Sequence, residues 1–557
     1  MSKNTAKRRA GSSHFAQVPS IGIQRSIFDR SHGYKTAFNE GELVPFFVDE
    51  VLPGDTFKLR TAIFGRLSTP IVPFMDNLNL EVRFFFVPNR LVWEHWENFC
   101  GAQANPSDSI EYSVPSFTTG TGGVVSGTLS DYLGVPIGVA GLSVNTLAHR
   151  AYQLIWNEWY RDENLQNSVT IVTGDSGEDF TNTALLKVSK YHDYFTSALP
   201  WPQKGASVRL PLLGTAPVYG TVPEGQVQVG AVTDTAFYPD FSGMAVESLG
   251  TTVSGGLTTY NPVTLLDGGY NKTSGNGSRL LITGSRSLSS GYADLSQATA
   301  TNINDLRTGV AVQQFLERQA RSGGSRYTEI LQAHFNIKPA DSRIQRPEYL
   351  GGFTAQMNVH AVEQTSATDS VTPQGHLAAF GVVSKSAHGF NKSFTEHGIV
   401  LGLINARVPL TYQQGLNKMF SRVSRYDIYW PEFAHLGEQA VLNKELYAQG
   451  SSVVDADGNP VDDNVFGYQE RYAEYRYHPS YVTGKLRSTA SGSLDVWHLA
   501  QSFNSLPTLN STFITESAPL SRVLAVTTEP QIILDCWFDL KCARPMPVFS
   551  VPGLKHF

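Results

Sequence analysis

The fold class is decided by the stretch LNLEVRFFFV at residues 78–87, where apolar and polar side chains alternate from Leu78 to Phe84. The stretch TFKLRTAIF at residues 56–64 alternates in the same way. A period of 2 places successive side chains on opposite faces of a strand, so each stretch has one core-facing side and one polar side. The alternation returns at residues 353–361 and 532–541. Such strands are typical of an antiparallel sheet with one buried face.

Helical patterns between these strands are few. One apolar stripe at helical spacing follows a candidate cap at Ser143 or Asn145 and ends near Ile155. Another begins near Asn302–Asn304 and stops at Gly323 and Gly324. Helices this sparse argue against repeated β-α-β units. The pattern predicts a mainly β protein, a sandwich with very long connecting loops.

The composition of the 557 residues narrows the class of protein further. Only 17% of the residues are charged, against roughly 25% in ordinary domains, while aromatic residues reach 11%. This balance excludes disorder for most of the length and favours ordered loops that bury surface against other chains. No apolar run approaches the roughly 20 residues of a membrane span, and the start has no signal-peptide core. We therefore expect a soluble, non-exported chain without membrane insertion.

The cysteines Cys100, Cys536 and Cys542 are too few and too scattered for a disulfide framework or a zinc site. Cys536 and Cys542 share one face of a predicted strand and lie roughly 20 Å apart, which is too far for a bond. All three are expected to be reduced, buried thiols of a protein made in a cytoplasm.

Motifs for catalysis or metal binding are weak. The run Gly174-Asp175-Ser176-Gly177 resembles a protease nucleophile loop, but Glu178 departs from that pattern and a polar turn is favoured. The aspartates between 455 and 463 suggest calcium, although the position of Gly458 and the missing glutamate favour a solvated turn. The histidines show no zinc spacing, and no phosphate-binding glycine motif occurs. We predict no enzymatic activity, catalytic residue, metal or cofactor.

The N-terminal 28 residues carry five basic residues and no acidic residue, whereas the rest of the chain has 38 basic and 49 acidic residues. Such cations can neutralise nucleic-acid phosphates without selecting sequence. The alternative is a solvated, flexible terminus. The candidate DNA-contacting residues are Lys3, Lys7, Arg8, Arg9 and Arg25.

Residues 204–300 differ from the rest of the chain, with 15 glycines and only 11 charged residues. Turn signals such as Gly255-Gly256 and Asn276-Gly277 recur, and connecting loops of this length are uncommon. The segment is predicted to be a β-rich insertion.

Six blocks of sequence, in order, carry a resemblance to a known family. They are FFVDEVLPGD at 46–55, YHDYFTSALPWPQKG at 191–205, NDLR at 304–307, RPEYLGG at 346–352, FGYQERYAEYR at 466–476, and RPMP at 544–547 followed by VPGL at 551–554. From about residue 14 to the end, the chain resembles the major capsid proteins of the Microviridae, in particular the gokushovirus branch of small single-stranded DNA phages.

The resemblance implies an eight-stranded antiparallel jelly roll of the viral capsid type. It implies a virion protein, assembled in the bacterial cytoplasm as an icosahedral shell of about sixty copies around circular single-stranded DNA. The implied partners are a small basic DNA-packaging protein, a pilot protein, an internal scaffolding protein and a host receptor. The expected layout is an interior arm at 1–40, jelly roll at 41–203 and 301–557, and a protruding insertion at 204–300 near the threefold axes that attaches to the host.

Aromatic residues are the candidates for subunit contacts, since interface cores are enriched in them. The tyrosine candidates are Tyr349, Tyr468, Tyr472 and Tyr475. Trp93, Trp96, Trp156, Trp159, Trp201 and Trp430 fit either an interface or the core. A monomeric β-sandwich that binds a receptor or carbohydrate is the alternative to a self-assembling protein, and a hydrolase is a third hypothesis without an identified site.

Overall fold

The computed structural model describes residues 24–206, 303–321, 345–363, 365 and 377–549, together with six short strands between 218 and 293. The strands are β1 Ser26–Asp29, β2 His32–Phe38, β3 Val44–Val51, β4 Thr56–Leu67, β5 Leu78–Pro88, β6 Ser116–Thr118, β7 Ser143–Asn145, β8 Val218–Gly220, β9 Met244–Val246, β10 Thr251–Ser254, β11 Leu257–Tyr260, β12 Leu265–Asp267, β13 Gly291–Ala293, β14 Glu348–Glu363, β15 Leu377–Ser393, β16 Gly398–Arg407, β17 Thr411–Tyr412, β18 Glu438–Leu442, β19 Val465–Glu470, β20 Ser480–Tyr481 and β21 Ile532–Arg544. The α-helices are α1 Trp96–Phe99, α2 Leu129–Tyr132, α3 Leu147–Ile155, α4 Ile303–Arg321, α5 Asn443–Leu446 and α6 Ser511–Ile514. Among the described residues, no helix combines the length and the apolar character needed to cross a bilayer.

Nine strands form one curled antiparallel sheet in the order β1, β21, β4, β15, β14, β5, β16, β3, with β2 also paired to β21. The sheet bends where β14 leaves β5 and pairs with β15 from Asn358 to Glu363. We call β1, β2, β21, β4 and β15 layer A, and β3, β16, β5 and β14 layer B. If β1 and β2 count as one interrupted edge strand, the eight strands have the order of a jelly roll, which confirms the predicted fold class.

The main core lies between the inner faces of the two layers. Phe57, Leu59 and Ile63 of β4 are buried there, as the alternation in 56–64 predicts. Phe46 of β3 packs against Phe538 of β21, with ring centroids 5.3 Å apart. Burial of such aromatic side chains is the largest contribution that one residue makes to a core.

Layer B is covered on its other face as well. There, a second cluster joins β5 and β16 to α3, with Leu401, Trp93 and Tyr152 fully buried. The polar side predicted for residues 78–87 is therefore only partly solvated. Glu81 is buried on this side of the strand. Its charge is compensated by an ion pair with Arg407 and by a hydrogen bond that the Tyr191 hydroxyl donates over 2.6 Å. Long loops supply this cover, which a strand pattern alone cannot show.

The cysteine prediction is confirmed for two thiols and wrong for the third. Cys536 and Cys542 are free and buried on the inner face of β21, and burial raises the pKa of their thiols to about 12 and about 11. Cys100 is exposed, because it follows the short surface helix α1. Only Cys100 is thus open to reagents.

The chain divides into two compact units, one formed by 1–205 and 316–557 and the other by 206–315. The second unit contains three two-stranded antiparallel ladders: β8 with β13, β9 with β12, and β10 with β11. The helix predicted near Asn302–Asn304 is α4, which begins at Ile303 and ends at Arg321.

Candidate assembly surface

A third hydrophobic cluster lies beneath the loops that follow β16. It contains Tyr194, Phe195, Tyr412, Phe466 and Phe513. The Tyr194 hydroxyl donates to Glu445 over 2.8 Å, and the Tyr412 hydroxyl donates to Asp193 over 2.6 Å. These loops therefore have a local core with satisfied polar groups, on which surface residues can be held in fixed positions.

The surface of this loop region is unusually apolar. Phe420 is 68% exposed and Val423 is 96% exposed. We call the whole set the aromatic patch, and it consists of Leu416, Met419, Phe420, Val423, Tyr426, Ile428, Tyr429, Trp430, Leu436, Tyr475, Tyr477 and Tyr481. Exposed apolar side chains concentrated on one set of loops mark contact sites on proteins. The patch is the strongest candidate for a contact with another protein chain within the described residues.

Charged and polar groups form a network beneath part of the aromatic patch. Arg422 forms an ion pair with Glu474 at 3.1 Å and lies over the Tyr475 ring, with its guanidinium carbon 4.2 Å from the centroid. The Gln439 amide donates to the other Glu474 oxygen over 2.6 Å. A preorganised surface loses less conformational entropy when it binds.

Tyr472 connects the two segments of the patch. Its φ of 61° is the sole positive value at a non-glycine residue in the described part of the chain. The Tyr472 amide donates to Gln439 over 3.2 Å, its hydroxyl donates to the Ile428 carbonyl over 3.2 Å, and its ring packs edge-on against Tyr429. Left-handed backbone at a bulky residue costs energy and persists only where surrounding contacts enforce it.

A cavity of about 290 Å³ opens beside the patch. Met419, Phe420 and Tyr481 contribute apolar walls, and the Lys418 ammonium pairs with Glu445 at 3.0 Å on its lining. A cavity of this size accepts one or two side chains of a partner, as interface anchors require.

The four tyrosines predicted for subunit contacts have different positions. Tyr475 belongs to the patch and is 49% exposed, whereas Tyr472 is buried beneath it. Tyr468 is half-buried on β19, where its backbone pairs with Leu199. Tyr349 is 40% exposed at a separate site on β14, between Phe85 and Trp159. The structure therefore brings together only Tyr472 and Tyr475.

The tryptophan candidates divide between core and surface. Trp93 and Trp156 are buried in the second cluster, while Trp159 and Trp430 are more than 40% exposed. Sequence analysis missed most of the segment 416–436. The sequence feature that could have indicated this segment is a concentration of aromatic residues without strand or helix periodicity, at Phe420, Tyr426, Tyr429, Trp430 and Phe433.

Of the candidate DNA-contacting residues, Arg25 is described and Lys3, Lys7, Arg8 and Arg9 lie outside the described residues. The Arg25 side chain is exposed, and its guanidinium donates to the Thr56 hydroxyl over 2.7 Å and to the Ala543 carbonyl over 3.4 Å. Arg25 thus ties the start of β1 to β4 and β21.

The two motifs that resembled catalytic or metal sites serve local structure. Asp175 accepts hydrogen bonds from the Trp93 indole over 2.7 Å and from Nδ1 of the His95 ring over 2.9 Å. Asp455 accepts the amides of Asp457 and Asn459, each over 3.0 Å. Where the structure describes the chain, no group of three or more histidine, cysteine or carboxylate side chains is placed to hold a metal ion.

The family and the three relatives that match this chain are all described as capsid proteins. The model of a family described as "Capsid protein (F protein)" matches residues 16–554. The chain is 45% identical to capsid protein VP1 of Chlamydia phage 1, over 97% of this chain and 98% of that protein. It is 46% identical to capsid protein VP1 of Bdellovibrio phage phiMH2K, over 98% and 99%. It is 35% identical to capsid protein VP1 of Spiroplasma virus 4, over the full length of both.

Proposed function

The chain belongs to the capsid protein (F protein) family and is a major capsid protein of the microvirus type, and from this premise we propose that its copies assemble through the aromatic patch. The single observation that carries the proposal is the exposure of Phe420, Val423 and Trp430 on loops that have their own core. A shell protein must bury such side chains against its neighbours, because apolar surface is unfavourable in water.

The β3 edge of the jelly roll is a poor alternative for assembly. β3 is an edge strand, yet most of its side chains are buried. Its Asp49 pairs with Arg30 and lies 3.9 Å from the Arg544 guanidinium. Covered, charge-paired edges discourage strand-to-strand association. Assembly through loops is therefore favoured over pairing at the β3 edge.

The experiment replaces Phe420 and Val423 with Asp and co-expresses the variant with the other phage structural proteins. Both side chains are more than two-thirds exposed, so the fold should tolerate the change while an apolar contact should not. Sedimentation should show soluble subunits and few particles. Val454→Asp is the matched control, since Val454 is 51% exposed outside the patch. Normal particle yield from the double variant contradicts the proposal.

We also propose the finer features implied by the family. These are a closed shell of about sixty copies around circular single-stranded DNA, with scaffolding, pilot and small basic packaging proteins as partners. The basic arm at 1–40 contacts DNA inside the shell through Lys3, Lys7, Arg8 and Arg9, and residues 204–300 protrude near the threefold axes and attach to the host receptor. The similarity to capsid proteins over nearly the whole chain favours the shell protein over a monomeric receptor or carbohydrate binder.

A further inference from the structure

The outward face of layer A is an exposed surface with aromatic residues at its centre. Trp537 is 54% exposed, Ile533 is 60% exposed and Phe64 is 44% exposed. In the register of β21 and β4, Trp537 pairs with Ala62, Asp535 with Phe64 and Ile533 with Arg66. Phe64 therefore lies diagonally between Trp537 and Ile533, at a spacing of roughly 7 to 8 Å between neighbours of this kind.

Small neighbours keep the Trp537 ring accessible. Gly33 of β2 pairs with Trp537 on one side, and Ala62 of β4 pairs with it on the other. A Cβ atom built at Gly33 would lie 3.6 Å from the indole Cε3. The indole thus extends over a residue without a side chain, which leaves a flat ring surface toward solvent.

Basic residues surround these rings. Lys58, Arg60 and Arg66 project from β4 to the same face and are all exposed. The Arg66 guanidinium carbon lies 5.8 Å from the Phe64 centroid. None of the three has a hydrogen bond or ion pair with a described residue, so their charges are available to a partner. Arg60 is the diagonal neighbour of Trp537, and it therefore places a cation beside the exposed indole.

The acidic residues of the face are already engaged. Asp535 pairs with Lys35 at 3.0 Å, and Asp29 pairs with Lys541, which holds the pKa of the Asp29 carboxyl at about 2. Asp539 lies 4.0 Å from the Lys541 ammonium. Lys35, Lys58, Arg60, Arg66 and Lys541 stand against Asp29, Asp535 and Asp539, so five cations and three carboxylates leave a net charge of +2. Asp539 shares Lys541 with Asp29 and lies opposite Arg60 in the register of β21 and β4, so the excess positive charge lies on β4.

The basic arm enters the body of the protein at this layer. Arg25 fixes the start of β1 to Thr56 and Ala543, at the border of the same face. Fifteen residues separate Arg9 from Arg25, and an extended chain of that length reaches roughly 50 Å. The four cations of the arm can therefore reach the same ligand as layer A.

We propose that the outward face of layer A binds single-stranded DNA, with bases stacked on Trp537 and Phe64 and phosphates bound by Lys58, Arg60 and Arg66. The proposal rests on the proposed function, since it identifies this face as the one directed toward the genome. Aromatic rings interleaved with cations are the usual surface for single-stranded nucleic acid, and they select the polymer without selecting its sequence. A protein partner fits less well, because it would have to desolvate the excess positive charge of β4.

The test measures binding of a fluorescein-labelled oligothymidylate of about 20 nucleotides to the purified full-length chain. In one variant, Arg60→Gln is combined with Arg66→Gln; in another, Phe64→Ser is combined with Trp537→Ser. The slope of log affinity against log salt should fall by about 1.4 in the first variant, at about 0.7 per lost phosphate contact. Affinity should fall about tenfold or more in the second variant.

The control combines Lys485→Gln with Arg487→Gln, which removes two exposed cations elsewhere. It should leave the salt slope unchanged. In filled particles, ultraviolet crosslinking should attach nucleotides to peptides that contain Phe64 or Trp537. Unchanged affinity and slope in both variants overturn the proposal. Variants that bind DNA normally but form no shell also overturn it, because the face would then be a contact between copies. Wild-type subunits that bind DNA but never assemble would instead contradict the proposed function alone.

Discussion

At the scale of single residues, Tyr472 shows how backbone strain supports a surface. We expect Tyr472→Ala to destabilise the subunit by about 3 kcal/mol, because a buried aromatic side chain is lost while the left-handed backbone remains. Particle yield should fall more than soluble yield, since Tyr472 positions Tyr429 and Ile428. Thermal unfolding of subunits and sedimentation of co-expressed particles measure the two effects.

Tyr472→Phe provides the comparison, because it removes only the hydrogen bond to the Ile428 carbonyl. Its cost should be about 1 kcal/mol, with nearly normal assembly. If Tyr472→Ala and Tyr472→Phe behave alike, the ring does not hold the patch.

Two buried carboxyl groups make stability depend on pH. Burial raises the pKa of Glu516 and of Glu40 to about 7, although Lys190 and Arg407 oppose the shift at Glu516 and Lys187 opposes it at Glu40. The unfolded chain ionises these groups near pH 4.5, so the folded state binds more protons between pH 4.5 and 7. The free energy of unfolding should therefore decrease as pH rises through this window. Denaturant titrations at pH 5, 6 and 7 measure this free energy, and its decrease with pH should be smaller in Glu516→Gln. If the variant and the wild type have the same pH profile, Glu516 is ionised in the folded state.

Residue roles were the least predictable part of the sequence. Tyr472 and Tyr475 belong to one block, but only the fold decides that Tyr472 is buried and Tyr475 is exposed. Arg150 lies within the helical pattern that ends near Ile155, and that pattern predicts no role for it. In the structure, its buried guanidinium donates hydrogen bonds to the carbonyls of Val92, Gly174 and Ser176. Such roles arise from distant segments, and local spacing does not encode them.

At the scale of elements, prediction succeeded where one face is buried and one is solvated. β4 and β21 alternate in burial along their length, and their sequences alternate accordingly. β16 has the sequence GIVLGLINAR and is buried on both faces, so it shows no period of 2. The loops of the aromatic patch follow neither period, because their shape comes from the third cluster and its hydrogen bonds.

β16 also depends on a glycine that permits close packing. A Cβ atom at Gly402 would lie 2.7 Å from Cε1 of Phe84 and 2.8 Å from Cβ of Phe47. We expect Gly402→Ala to destabilise the jelly roll by about 1 to 3 kcal/mol, since neither neighbour can move without disturbing the core. Denaturant unfolding measures the change. Gly120→Ala is the control, because a Cβ atom at Gly120 would have no other atom within 4 Å. Equal stability of the two variants would contradict this account of packing.

At the scale of the whole molecule, sequence composition identified a distinct segment at 204–300, and the structure contains a compact unit at 206–315. The role of that unit in the particle stays a prediction, because composition and compactness do not determine what a surface binds. Its points of attachment are informative. The Lys204 amide donates to the Leu316 carbonyl over 3.4 Å, so the chain of the other unit leaves and returns at nearly the same place.

This geometry makes the insertion removable. Replacing 206–315 with a Gly/Ser linker of about five residues connects Gly205 to Leu316 and removes the three ladders together with α4 up to Phe315. The residues of the three hydrophobic clusters and of the aromatic patch all lie outside the deleted range. We expect the variant to fold, to form shells on co-expression, and to lose adsorption to host cells. Negative-stain microscopy and adsorption assays measure the two outcomes. Normal infection by the trimmed phage would contradict a role in attachment, and soluble subunits without shells would show that the insertion contributes contacts between copies. A linker variant with a wild-type unfolding temperature keeps these outcomes separate from misfolding, because it shows that the remaining unit is stable by itself.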